Sequence, residues 1–221
     1  MLYICLAAVA VVVTSVYLSV VYLLHENEGK NGKELLILAV RPCKTHLIFM
    51  ILYTVTAILT IGVCSVYEYG GTKIVRYLVL FCALLLCSYT DVKNRIIPNT
   101  VLLWLLLART GLLVIEIAIA PDLWKVVVIR MVLGCATSFV VLWIAALASK
   151  GGIGMGDVKL MAVIGYYVGF ENILSCITAP MVLFCVFGLA MVAMKKAKLK
   201  DSLPFAPFVA AGVMLVLFFR L

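Results

Sequence analysis

Residues 124–148 read WKVVVIRMVLGCATSFVVLWIAALA, with only Lys125 and Arg130 charged in the whole stretch. A helix needs about 20 predominantly apolar residues to cross the hydrocarbon core of a bilayer, so this stretch predicts a transmembrane helix. The whole chain has the same character, since 66% of its 221 residues are hydrophobic, against roughly half in ordinary soluble domains. The composition therefore excludes a soluble globular protein and leaves little room for a separate soluble domain.

Further apolar stretches lie on both sides of this segment and are separated by short polar segments. Together they predict an all-α fold, a polytopic transmembrane bundle of about eight helices. The first stretch has no basic segment ahead of it and is too long for the apolar region of a signal peptide, so we expect a retained span. The sixth is short, which predicts a tilted or half-length helix. The predicted spans are roughly 2–24, 47–67, 74–90, 98–119, 124–148, 157–170, 173–194 and 204–220.

The net charge of +8 is explained by the sides on which the basic residues fall. Eight spans place the loops 25–46, 91–97, 149–159 and 195–200 on one side of the membrane. Cytoplasmic loops carry an excess of Lys and Arg, so this side is predicted to be cytoplasmic and no nucleic-acid partner is needed. It holds Lys30, Lys33, Arg41, Lys44, Lys93, Arg95, Lys150, Lys159, Lys195, Lys196, Lys198 and Lys200, whereas the other side holds Lys73, Arg76, Lys125, Arg130 and Arg220.

The eight cysteines do not indicate a metal site or a disulfide framework. Seven lie in apolar segments, where cysteine behaves as a small hydrophobic residue, and no CxxC pair is present. Cys43 and His46 form a single C-x2-H pair without two further ligands nearby, and zinc sites need three or four. We therefore expect no metal and no organic cofactor.

Three of the ten acidic residues lie at or inside predicted membrane helices: Asp91, Glu116 and Asp157. Asp91 follows an apolar run in SYTDVKNRIIPN, residues 88–99, where its simplest role is to stop the helix. Asp157 lies in KGGIGMGDVKL, residues 150–160, where its simplest role is to cap the next helix. A cap does not explain the four glycines before it, which allow tight turns and close packing.

The predicted topology places Asp91 and Asp157 at the same membrane edge. Two carboxylates brought together can share one proton, because repulsion and burial raise the pKa of one while the other stays ionised. Such a pair can hydrolyse a peptide bond. Arg109 is a further charge and lies in the middle of a span. Glu116, two turns away and about 10 Å along the helix, is expected to lie too far for direct contact without bending, which leaves a partner on another helix or snorkelling to the membrane surface.

Three short motifs carry a resemblance to a known family. GMGDVKL, residues 154–160, resembles the GxGD signature of membrane aspartic peptidases. DVKNRIIPN, from Asp91 to Asn99, resembles the D-x5-IPN element of type IV prepilin peptidases, and LPFAPF, residues 203–208, resembles that family's C-terminal proline-phenylalanine motif. The resemblance covers roughly residues 78–212.

This resemblance implies a peptidase of the bacterial plasma (inner) membrane. It would remove the basic leader of prepilin-like or pseudopilin-like proteins after a Gly at the cytoplasmic face, so that their apolar helices can build a pilus or secretion fibre. Asp91 and Asp157 would be the catalytic pair, and Gly154 and Gly156 would shape the loop of Asp157. Residues 1–77 would form N-terminal transmembrane helices with a short cytoplasmic loop, and residues 78–221 the GxGD peptidase core.

One departure from the family concerns a second activity. Longer, bifunctional members carry a CxxC…CxxC loop and also methylate the new N-terminus. The loop 25–46 contains only Cys43, so the resemblance is to the short form and we expect peptidase activity without methyltransferase activity.

Other residues of these motifs have two possible roles each. Lys93 and Lys159 each follow an aspartate by two positions; they could lower a carboxylate pKa or bind substrate, or simply anchor the cytoplasmic edge. Pro98 and Asn99 are expected to set and cap the fourth helix. A final group, which would either line a substrate groove or form a plain kink, consists of Pro204, Phe205 and Pro207.

Two other functions fit the same residues. A small proton-coupled transporter could use Asp91, Asp157 and Arg109 as a relay, but it would favour carboxylates near the membrane midplane and inverted repeats. The predicted carboxylates lie at one edge, and the sequence has no clear repeat. A GxGD enzyme that cuts signal peptides would favour a Tyr-Asp pair, whereas here Thr90 separates Tyr89 from Asp91.

Overall fold

The structure, a computed structural model, describes residues 44–67, 70–149, 152–195 and 203–219, and every regular element within these ranges is helical. This confirms the all-α fold class for the described part of the chain. The predicted span 2–24 and most of the loop 25–46 lie outside it. The helices are α1 (Lys44–Val66), α2 (Gly71–Asn94), α3 (Asn99–Ile119), a 3-10 turn (Pro121–Leu123), α4 (Trp124–Ala148), α5 (Met155–Val168), α6 (Phe170–Ala193) and α7 (Ala206–Phe219).

Four helices of the described residues are long and apolar enough to cross a membrane: α2, α3, α4 with the turn before it, and α6. The chain is therefore a multi-pass membrane protein. Helices α5 and α7 have 14 residues each and so rise only about 21 Å, less than the roughly 30 Å hydrocarbon core. The short helix predicted near residues 157–170 is confirmed as α5, whereas its crossing of the membrane and the total of about eight spans stay predictions.

The end of α2 differs from the sequence-based expectation. The predicted span stopped at residue 90, but the helix continues through Asp91 to Asn94. It ends at Arg95, which has a positive φ of 54° and donates its N–H to the carbonyl oxygen of Asp91 at 2.9 Å. The interpretation of Asp91 as the residue that stops the helix is wrong. Pro98 disfavours helical geometry in the residue before it, so the break falls between Arg95 and Pro98.

The chain divides into two compact units, with the boundary inside α2 between Leu85 and Leu86. The first unit contains α1 and the beginning of α2. In the second unit, α5 packs against α3, α4 and α6, and eight of its 14 residues are buried. A Cβ atom on Gly165 of α5 would overlap the carbonyl oxygen of Gly134 in α4. This backbone contact holds α5 in place, and α5 in turn carries Asp157.

Helix α7 packs along α6 in the same unit. The contact is close at Gly212, where an added Cβ would lie 2.6 Å from the ring of Pro180 in α6. Seven of the 14 residues of α7 are buried. The start of α7 is therefore held on a packed helix pair.

Candidate active site

Asp91 and Asp157 line the same open cavity, whose volume is about 270 Å³. Asp91 lies in the last turn of α2 and is 7% exposed. Asp157 lies in the first turn of α5 and is half-buried. Two residues that are 66 positions apart in the sequence thus face one space. The remaining lining residues are Arg95, Ile96, Ile97, Asn99, Gly154, Gly156 and Lys159.

The two glycines of the GxGD motif have separate steric roles. A Cβ atom on Gly154 would lie 3.2 Å from Oδ2 of Asp157, and one on Gly156 would lie 3.3 Å from Cβ of Ile97. Gly154 therefore leaves room for the carboxylate, and Gly156 lets α5 begin against the segment that joins α2 to α3.

The start of α5 also corrects the interpretation of Asp157 as a cap. Gly154 occupies the N-cap position, with extended backbone angles, and makes no side-chain capping bond. Asp157 is the third residue of the helix, and its N–H donates to the carbonyl oxygen of Gly154 at 3.0 Å. Its carboxylate points instead to the cavity that it shares with Asp91.

The protonation of Asp157 is shifted by its surroundings. Asp157 lies outside the four long apolar helices. Burial, followed by the negative charge of Asp91, raises the pKa of Asp157 to about 6, against the opposing effect of a backbone hydrogen bond with Gly154. Desolvation and a like charge both disfavour the ionised form. A protonated Asp157 beside Asp91 is the state that general acid catalysis needs.

Asp91 has a partner that the sequence did not indicate. Its Oδ2 accepts a hydrogen bond of 2.9 Å from the backbone N–H of Ala206, the first residue of α7. Ala206 lies in the LPFAPF motif, but Pro204, Phe205 and Pro207 are not among the cavity-lining residues. The motif thus reaches Asp91 through its backbone. No residue type in the sequence indicates a contact that is made by a backbone N–H, so only the structure shows it.

The basic residues near the motifs separate into two groups. Lys159 lines the cavity and donates from Nζ to Oδ1 of Asn99 at 3.3 Å. Arg95, which the motif analysis did not single out, also lines the cavity, whereas Lys93 does not and lies over the ring of Tyr89 at 6.0 Å. Lys159 and Arg95 are therefore the cations that can act on the carboxylates or on a bound peptide.

The residues Pro98 and Asn99 begin α3 as expected, with Pro98 at the N-cap and Asn99 as the first helical residue. Pro98 makes no side-chain capping bond. The amide oxygen of Asn99 accepts from Lys159, so this residue connects the start of α3 to the start of α5.

Arg109 is fully buried in α3 and does not line the cavity. Its Nη2 lies 3.0 Å from Oε2 of Glu116 and 3.0 Å from the sulfur of Met131 in α4. The expectation that Glu116 lies too far for contact is wrong, because two long side chains extended toward each other span two helical turns. Arg109 therefore belongs to a buried ion pair within the bundle.

Neither a metal centre nor the Cys43–His46 pair is part of the described site. Within residues 44–67, 70–149, 152–195 and 203–219, no three side chains of His, Cys, Asp or Glu are grouped as metal ligands. The Cys43–His46 pair lies outside the residues whose side chains the structure describes.

The fold and the cavity together define a class, a multi-pass helical membrane protein with two aspartates on one open site. The family is given by comparison with known sequences. The model of the type IV leader peptidase family matches residues 78–219, and the chain belongs to this family.

Named relatives agree with this family. The chain is 33% identical over 140 residues to a prepilin leader peptidase/N-methyltransferase of Bacillus subtilis, covering 62% of the chain and 52% of that protein. It is 28% identical over 188 residues to a protein of the same name from Burkholderia pseudomallei, covering 81% of the chain and 58% of the relative. The chain thus spans just over half the length of these curated relatives. No solved structure gives a significant match.

Proposed function

We propose that the chain is an aspartic endopeptidase that removes the leader peptide of prepilin-like or pseudopilin-like membrane proteins, cutting after a Gly at the cytoplasmic membrane face of bacteria. The observation that carries the proposal is the shared cavity of Asp91 and Asp157 in a member of the type IV leader peptidase family. The charge bias of the loops supports the cytoplasmic side. The relatives' names combine two activities, and the proposed activity is the peptidase part.

The chemistry follows from the unequal states of the two carboxyl groups. The ionised aspartate takes a proton from water while the water oxygen attacks the scissile carbonyl carbon. The protonated aspartate donates its proton toward the oxyanion that forms. When the carbon–nitrogen bond breaks, the first aspartate returns its proton to the leaving amine. Aspartic proteases use such a pair with one shared proton, and no cofactor is required.

The site is suited to a substrate that lies partly in the membrane. The cavity is open and is lined by polar residues beside Ile96 and Ile97, and the four long apolar helices supply the membrane-embedded part. In such a substrate the leader peptide lies outside the bilayer and the apolar helix that follows it lies inside. The bond between them is then at the membrane surface, where we propose that the cavity lies. Arg109, which the transporter alternative required in a relay, pairs with Glu116 and not with the aspartates.

The test is cleavage of a membrane peptide with a basic leader, a Gly and an apolar helix, by the full chain in detergent. Mass spectrometry identifies the bond that is cut. Wild type is expected to cut after Gly, while Asp91→Asn and Asp157→Asn each lose about 10²–10⁴-fold in rate, the usual contribution of a general acid or base.

Asp122→Asn is the matched control. This aspartate is exposed on the 3-10 turn and does not line the cavity, so the same chemical change should leave the rate at the wild-type value. Full cleavage by a folded Asp91→Asn or Asp157→Asn variant would show that the substituted aspartate is not needed for the reaction. Failure of the folded wild type on several different leaders would contradict the proposed function itself.

A further inference from the structure

We propose that the first turn of α7 is a positioning element that orients Asp91, so that Asp91 activates the water and Asp157 is the proton donor. This assignment of roles rests on the proposed function, which by itself leaves open which aspartate does which. It also gives the LPFAPF motif a role other than a substrate groove or a kink.

The contact itself is short and buried. Ala206 is fully buried and Asp91 nearly so, and the N–H of Ala206 lies 2.9 Å from Oδ2 of Asp91. Ala206 is the first residue of α7, where N–H groups have no partner within the helix. A carboxylate is therefore a natural acceptor for this donor. Hydrogen bonds to a charged acceptor are stronger than neutral ones, and the helix dipole adds to the attraction of negative charge.

An aromatic clamp holds the donor in place; it consists of Phe184, Phe187, Phe205 and Phe208. The rings of Phe205 and Phe208 pack edge-on against Phe184 of α6, with centroids 5.5 and 5.4 Å apart. Phe187 packs against Phe208 at 5.2 Å. The two phenylalanines of α7's start thus flank Ala206 and fix its backbone against α6. Since the donor is rigidly held, it can fix the carboxylate of Asp91.

Asp157 lies in a different setting. Its hydrogen bonding is to the backbone of Gly154 in its own turn, and burial outweighs this bond so that its pKa rises to about 6. The other charged or titratable groups that face the pair are Arg95 and Lys159, which line the cavity, and the thiol of Cys87, one turn before Asp91. Asp91 is thus bound by a donor from another helix, whereas the hydrogen bond of Asp157 lies within its own turn.

The resulting step balances. Asp91 takes the proton of the attacking water as the carbon–oxygen bond forms, and Asp157 gives its proton to the carbonyl oxygen. On collapse, Asp157 takes that proton back as the carbonyl re-forms. Asp91 passes the water proton to the leaving nitrogen, and both carboxyl groups return to their starting states.

Infrared spectroscopy of the full chain in lipid nanodiscs tests the assignment without an activity readout. The band of a protonated carboxyl group is followed between about pH 4 and 8, a range that brackets carboxyl groups with raised pKa values. The band that titrates near pH 6 should be absent from Asp157→Asn. It should persist in Asp91→Asn, shifted to lower pH because a neighbouring negative charge is gone. A band that is lost in Asp91→Asn and kept in Asp157→Asn would overturn the assignment.

Two substitutions at residue 206 test the positioning role of α7. Ala206→Pro removes the N–H, and proline is tolerated at the first position of a helix. Ala206→Gly keeps the N–H and removes only the methyl group. Ala206→Pro is expected to move the acid limb of the pH–rate profile to higher pH and to lower kcat by up to about 10²-fold. Ala206→Gly should keep the wild-type profile.

The outcomes separate the two proposals. An unchanged profile and rate in folded Ala206→Pro would overturn the positioning role, and a profile that moves equally in Ala206→Gly would make it a packing effect only. If Ala206→Pro does not fold, the infrared comparison still decides the assignment. If the wild type cleaves no leader peptide, the proposed function fails while the infrared result stands by itself.

Discussion

The end of α2 and the start of α5 each bring one aspartate to the same cavity, but they hold it in different ways. Asp91 is nearly buried and accepts the N–H of Ala206 from a third helix. Asp157 is half-buried and follows a glycine that leaves space beside its carboxylate. Identical side chains can therefore act differently, because a donor from another helix orients Asp91, whereas burial and the charge of Asp91 raise the pKa of Asp157. The difference lies in the surroundings that each helix end provides.

The largest effect is expected from lengthening the two side chains by one methylene group. Asp91→Glu displaces a nearly buried carboxylate from its donor, the N–H of Ala206, and should lose about 10²-fold or more in kcat. Asp157→Glu extends into the open cavity and should lose less. Cleavage rates under saturating substrate measure both, with thermal unfolding as the control for folding. Equal losses of kcat in the two variants would show that the two helix ends do not hold their aspartates differently.

The pH dependence of wild-type cleavage gives the next largest effect. In the proposed mechanism Asp157 must be protonated to donate, and its pKa is raised to about 6. At higher pH it loses that proton, so kcat/KM should fall about tenfold for each pH unit well above this value. Because the two carboxyl groups interact, the observed value belongs to the pair. A rate that stays constant from acid to alkaline pH would contradict a protonated Asp157.

A smaller effect is expected at the glycine before Asp157. In Gly154→Ala, the new Cβ would lie 3.2 Å from Oδ2 of Asp157, so the carboxylate must move by a few tenths of an ångström. We expect a loss in kcat of about tenfold, below the roughly 10²-fold that a full 1 Å displacement can cost. Gly152→Ala, whose Cβ would contact Ser149 and not the aspartate, is the matched control. An unaffected kcat in Gly154→Ala would show that the carboxylate adapts freely.

The smallest effect is expected from Lys159, one of two exposed cations that line the cavity. Lys159→Gln removes a positive charge beside Asp157, which should move the alkaline limb of the pH profile to slightly higher pH, more clearly at low salt. Lys93→Gln removes the same charge from a residue that does not line the cavity and should leave the limb in place. Equal shifts in the two variants would assign the effect to net charge.

Much of the fold can be predicted from the sequence because membrane helices are recognised by their length and apolarity. The predicted stretch 124–148 matches α4 residue for residue. The end of α2 was missed because hydropathy falls at Thr90, whereas the backbone hydrogen bonds of the helix continue to Asn94. Apolar patterns locate the bilayer, and helices can extend beyond it.

The sequence predicted only those parts of the candidate site that consist of distinctive residue types. Asp91 and Asp157 were found because carboxylates are rare in apolar segments, and the glycines because their spacing is unusual. The contact from Ala206 uses a backbone N–H, which every residue but proline has, so no sequence signal marks it. The contact of Arg109 with Glu116 was misjudged because helix rise was considered without the reach of the two side chains.

A single turnover in water enriched in ¹⁸O, with excess enzyme over a prepilin-like peptide, shows whether the two aspartates activate water. If Asp91 and Asp157 together activate water, one ¹⁸O atom appears in the new C-terminal carboxylate of the leader and none in either aspartate. Label found in Asp91 or Asp157 would indicate a covalent acyl-enzyme intermediate. That result would contradict the account, since it would make one aspartate a nucleophile.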